Sequence, residues 1–116
     1  MKKALLLFCY IFFSCSGQDC KDLPENFESY VQAKALVKSA NFSIKQNLNV
    51  SDSSWLKSVT FYSCDSKVGF VIMVTDKGKN YVHKNVPVSV WKDWKKANSK
   101  GSFYSKNVRG RYTLKL

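Results

Sequence analysis

The sequence predicts an α+β fold: a small antiparallel sheet of three to four strands, packed with an N-terminal helix and a C-terminal helix pair. Three observations lead there. An apolar repeat spaced by three and four lies near the N-terminus, and three apolar or alternating stretches joined by short turns fill the middle. A tryptophan-bearing helical repeat then follows a proline. With 116 residues, 45% hydrophobic and 23% charged, the chain has room for one core.

The first 17 residues, MKKALLLFCYIFFSCSG, stand outside that core. Lys2 and Lys3 give a basic start, Ala4 to Phe13 an apolar run, and Cys15 and Gly17 small residues around a cleavage point before Gln18. The expectation is a signal peptide over residues 1–17 and a secreted or periplasmic protein. The apolar run is short against the ~20 residues of a spanning helix, so no membrane span is expected in the mature chain. Lipidation at Cys15 is the alternative, and Phe12 argues against it, because an aliphatic residue usually stands three places before the modified cysteine. Cleavage removes Cys9 and Cys15, leaving Cys20 and Cys64, which an oxidising compartment should pair. Two cysteines and His83 fall short of the four close ligands of a structural zinc site, and no cofactor is expected.

In chain order, LPENFESYVQAKALVKSA places Phe27, Tyr30, Val31, Lys34 and Val37 at helical spacing, which predicts an amphipathic helix over Glu25 to Ala40. NFSIKQNLNV alternates through Phe42 and Ile44 and reads as strand or loop. KSVTFYS (57–63), VGFVIMVT (68–75) and KNYVHK (79–84) read as three antiparallel strands. The second is apolar on both sides, with Phe70, Ile72 and Val74 against Val71 and Met73, so it should be central and covered. Asp76-Lys77-Gly78 suits a hairpin loop with glycine in the left-handed position. Val86-Pro87 should end strand pairing and open a helix. In that helix Val90, Trp94 and Ala97 share an inward face with Trp91 at its border, and Lys92 and Lys96 lie opposite. Gly101 should end it, Ser102 should cap a second helix carrying Phe103 and Val108, and RYTLKL should close the chain as an extended piece.

The stretch from Ser54 to Tyr112 resembles the KTSC domain, a small module named for its place at the C-terminus of some lysyl-tRNA synthetases and found alone in bacterial and phage proteins. The residues that carry the resemblance are the opening SSWLKSVTFY, then Gly78, Tyr81, Val86 and Pro87, then Ala97, Ser99, Gly101 and Phe103, and finally Val108 and Tyr112. Where the family shows a Tyr-x-Tyr pair, this chain has Tyr81-Val82-His83, and Ser105 stands where an asparagine is frequent. The expected organisation is a signal peptide (1–17), an N-terminal helical extension (18–53) pinned by a Cys20–Cys64 bridge, and a KTSC-like domain (54–116). RNA binding is suggested by the family's synthetase context.

Charge separates the two halves. Residues 18–76 carry six basic groups against seven acidic ones, whereas residues 77–116 carry eleven basic groups against Asp93 alone. Such asymmetry steers polyanions toward one part of a molecule. Candidate contacts are Lys92, Lys95, Lys96, Lys100, Lys106, Arg109 and Arg111, with Trp91 or Tyr104 as exposed aromatics that could stack and His83 as a further binding residue. The partner would be RNA, DNA or an anionic envelope polymer. The alternative is a secreted or envelope module that meets another protein, its charge serving solubility and steering. An enzyme is not expected: His83 lacks a positioned second group, Asp65 and Asp76 fall in turns, and no thiol nucleophile, phosphate loop or nucleophile elbow is present.

Overall fold

The structure is a computed structural model, and it describes residues 18–114 and 116. The expected signal peptide, its cleavage point and the lipidation alternative lie outside the described residues. After a single 3-10 turn at Cys20–Asp22 come helix α1 (Tyr30–Ser39) and strands β1 (Ile44–Asn47), β2 (Leu56–Ser63), β3 (Val68–Thr75) and β4 (Asn80–Pro87). Helices α2 (Val88–Lys96) and α3 (Lys100–Phe103) follow, and α3 runs into a π-helical turn at Tyr104–Val108. The strands form one antiparallel sheet in the order β1-β2-β3-β4. The α+β architecture is therefore the one expected, with β1 as the fourth strand.

Each face of the sheet holds its own apolar cluster, which explains why β3 is apolar on both sides. Val59, Phe61, Val71, Met73 and Val86 pack under Trp91, Trp94, Tyr104 and Val108 of the C-terminal helices. On the reverse, Tyr62, Ile72 and Val82 meet Phe27, Ala33 and Val37 of the N-terminal segment, together with Leu114. Cys20 and Cys64 are disulfide-bonded across a separation of 44 residues, tying the start of the described chain to the β2–β3 turn. The C-terminal piece lies along the β4 edge, where Lys84 N–H donates to the Tyr112 carbonyl and Thr113 bridges His83.

Several local expectations are corrected. Helix α1 starts at Tyr30 because the Ser29 hydroxyl accepts the Gln32 N–H and caps it there. Val31, expected inside, is 80% exposed, since Ala33 and Val37 set the buried face. Strand β4 continues through Val86 and Pro87, which pair with Gly69 and Val68. A proline is tolerated there because β4 is an edge strand. Helix α2 nevertheless begins immediately after Pro87, as expected. Ser99, not Ser102, caps α3, accepting the Ser102 N–H. Gly101 lies inside α3 rather than ending α2: a Cβ on it would stand 2.3 Å from Trp55 Nε1, so only glycine lets the indole lie there. Gly78 does adopt φ +84° in the β3–β4 hairpin. Among the described residues no helix is long and apolar enough to cross a membrane.

Candidate functional site

Helix α2 sorts its side chains by face. Trp91 and Trp94 are 2% and 0% exposed, and each indole N–H is satisfied, Trp91 by Gln46 Oε1 at 2.9 Å and Trp94 by the Lys100 carbonyl at 3.0 Å. Lys92, Lys95 and Lys96 are left in solvent. Lys95 Nζ reaches the same Gln46 Oε1 at 3.1 Å. Lys100 is differently committed: its ammonium donates to the Lys95 and Ala97 carbonyls and so caps the C-terminus of α2. It holds the helix end rather than standing free for an anion.

The aromatic contacts inferred from sequence need correction in the same way. Trp91 stacks on Phe61 with ring centroids 5.1 Å apart inside the core, and no base could reach its face. Tyr104 is 6% exposed and packs against Trp94 and Trp55. His83 is also buried: Nδ1 lies 3.2 Å from the Tyr112 carbonyl and Nε2 3.1 Å from the Tyr104 hydroxyl. Because a carbonyl only accepts, Nδ1 carries the proton, and Nε2 accepts from Tyr104. Burial pushes the His83 pKa below its ordinary value, partly offset by the bond to Tyr112, and burial raises that of Tyr104, with Arg109 pulling the other way. The neutral histidine is thus a strut between β4, the π-helical turn and the C-terminal piece.

Two adjoining cavities open on this side of the sheet and share Ser54 and Trp55. The first, of about 530 Å³, is polar and is lined by Lys95, Lys96 and Lys100 with Asn49, Asn98 and Ser99. The second, of about 430 Å³, has Met73, Tyr81 and Tyr104 in its lining and Lys77, Lys79 and Arg109 beside them. Of the cations picked out in the sequence, the fold gathers Lys95, Lys96 and Lys100 at one cavity and Arg109 at the other. Lys92, Lys106 and Arg111 are exposed and line neither. Sequence reasoning passed over Trp55, Lys77 and Lys79. The available signal was a tryptophan beside the Ser51-Asp52-Ser53-Ser54 break and a hairpin loop flanked by lysines. Asp19, Cys20 and Cys64 cluster within 4.8 Å, but the two sulfurs are bonded to each other and the Asp19 carboxylate accepts the Lys21 N–H.

A four-stranded antiparallel sheet that runs directly from a proline into a lysine-faced helix defines a small α+β module. Residues 52–112, more than half of the chain, match the KTSC domain family, and the chain belongs to it. No curated protein and no solved structure matches the chain. The matched segment holds β2 to β4, the C-terminal helices and nearly all of both cavity linings, whereas α1 and β1 lie before it.

Proposed function

We propose that the protein is an exported, non-enzymatic binding module that holds a polyanion, nucleic acid or an anionic envelope polymer, on the basic surface of its C-terminal half. The observation that carries this reading is the α2 face: two buried tryptophans anchor the helix while Lys92, Lys95 and Lys96 project together, the last two into a polar cavity. Anchored lysines on a rigid helix form an electrostatic footprint for phosphate or sulfate groups. The basic, apolar start of the chain and the Cys20–Cys64 bridge support export. An interaction with a protein partner is the competing reading.

Binding to a single-stranded oligonucleotide and to heparin, followed across salt concentrations, tests this. The triple change Lys92→Gln, Lys95→Gln, Lys96→Gln should leave the melting temperature nearly unchanged, because exposed charge changes usually fall within about 0.5 kcal/mol. Each lost phosphate contact flattens the log-affinity against log-salt slope by roughly 0.7 to 0.9 unit, so the slope should drop by about two. A folded triple variant with an unchanged slope rejects this face, and wild-type protein that binds neither polymer at moderate salt points to a protein partner.

A further inference from the structure

We propose that the second cavity, between the β3–β4 hairpin and the π-helical turn, is a binding site for a planar ring carrying an anionic group, the chemistry of a single nucleotide unit. Its volume of about 430 Å³ falls in the range of small-molecule sites, ~300–1,000 Å³. Its lining combines two chemistries. Trp55 and Tyr81, both half-buried, offer aromatic surface against which a flat ring gains stacking and dispersion energy, with Met73 and Tyr104 buried behind them. Lys77, Lys79 and Arg109 supply three positive charges against the single carboxylate of Asp76, and guanidinium and ammonium groups are the donors that phosphate and carboxylate groups select.

The walls are built before any ligand arrives. Tyr104 is held by His83, which is held in turn by the Tyr112 carbonyl. Tyr81 packs edge-on against Tyr30 at 6.2 Å, and Trp55 packs edge-on against Tyr104 at 5.8 Å while its indole lies over Gly101. A preformed cavity spares a ligand the cost of ordering these side chains. Trp55 also differs from its two counterparts. The indole N–H groups of Trp91 and Trp94 are satisfied internally, but that of Trp55 has no hydrogen-bond partner among the described residues.

This site goes beyond the polyanion reading and does not depend on it, since its cations are Lys77, Lys79 and Arg109 rather than the lysines of α2. The test is a titration of the ¹⁵N-labelled protein, followed at the three indole N–H signals and the backbone amides. The probes are thymidine 5′-monophosphate, thymidine, and deoxyribose 5-phosphate. The nucleotide should shift the Trp55 indole signal and the amides of Gly78 and Arg109, and should bind about tenfold or more tighter than either fragment, the scale of one stacked base. Changing Lys77, Lys79 and Arg109 together to Gln, all exposed, should bring the nucleotide down to the affinity of thymidine and leave thymidine itself unaffected. Equal affinity for nucleotide and sugar phosphate would show charge without ring recognition and overturn the proposal, as would shifts that avoid Trp55. A tetrathymidylate that binds tighter than the mononucleotide, and an abasic counterpart that does not, would place the ring in a strand, whereas equal affinity of strand and monomer would make the free nucleotide the source. Loss of strand binding in the α2 variant with nucleotide binding intact separates this site from the proposed polyanion face.

Discussion

His83 concentrates several consequences of the fold in one side chain. It is 7% exposed, and both ring nitrogens are used. Burial holds its pKa below the ordinary 6.5, so below that pH the unfolded chain binds more protons than the folded one. Its contribution to stability is therefore complete above about pH 6.5 and is lost as the pH falls through that value toward the folded pKa. Melting temperatures between pH 7.5 and pH 5 should decline in the wild type. His83→Gln, whose one amide cannot donate to the Tyr112 carbonyl and accept from the Tyr104 hydroxyl in the same geometry as the ring, should melt lower at pH 7.5 but show a flatter decline. Parallel curves for the two proteins would mean that His83 does not titrate in this window. The three tryptophans show where residue-level reading stops. Helical spacing placed Trp94 inside but left Trp91 at the border, because an angular pattern does not register that Gln46 of β1 waits for its indole N–H. Trp55 gave no periodic signal at all, since what defines its place is Gly101, 46 positions further on.

Elements were more legible than residues. Alternation and continuous apolar runs located β2 and β3 nearly to the residue, because burial on both faces leaves a strong mark on composition. Boundaries set by a single side chain were not legible: the Ser29 hydroxyl starts α1, and the Ser99 hydroxyl starts α3. The passage of β4 through Pro87 was hidden because it depends on which strand is at the edge, a property of the whole sheet. The Cys20–Cys64 bond acts at this scale, pinning the segment before α1 beside the β2–β3 turn, where the Asp65 carboxylate accepts the Lys67 and Val68 N–H groups. Closing a 44-residue separation removes chain entropy worth roughly 4 kcal/mol from the unfolded state. Replacing both cysteines by serine should lower the unfolding free energy measured by denaturant titration by an equivalent amount while the native circular dichroism spectrum persists. A loss of unfolding free energy below about 1 kcal/mol would show that the bond constrains little beyond what packing already does.

For the whole molecule, the consequence of the two-faced sheet is a division of labour. The basic surface and nearly all of both cavity linings belong to residues 52–112, while Phe27 and helix α1 cover the opposite face, where Tyr62, Ile72 and Val82 would otherwise meet water. All three tryptophans lie on the side of the C-terminal helices, Trp91 and Trp94 buried there and Trp55 packed against the same cluster through Tyr104, so their fluorescence reports on that core alone. Ala33 is 0% exposed at the centre of the other cluster, and an arginine there has no room and no counter-charge. Ala33→Arg should therefore lift α1 from the sheet, expose an apolar face, raise binding of a hydrophobic dye and lower the melting temperature. The tryptophan emission maximum should stay where it is if the KTSC core holds without its cover, and binding through the C-terminal half should then survive. A red-shifted emission together with dye binding would mean that the two faces open as one cooperative unit. The N-terminal segment would then be part of the folding core that positions the cavities, acting through β3, whose side chains alternate between the two clusters.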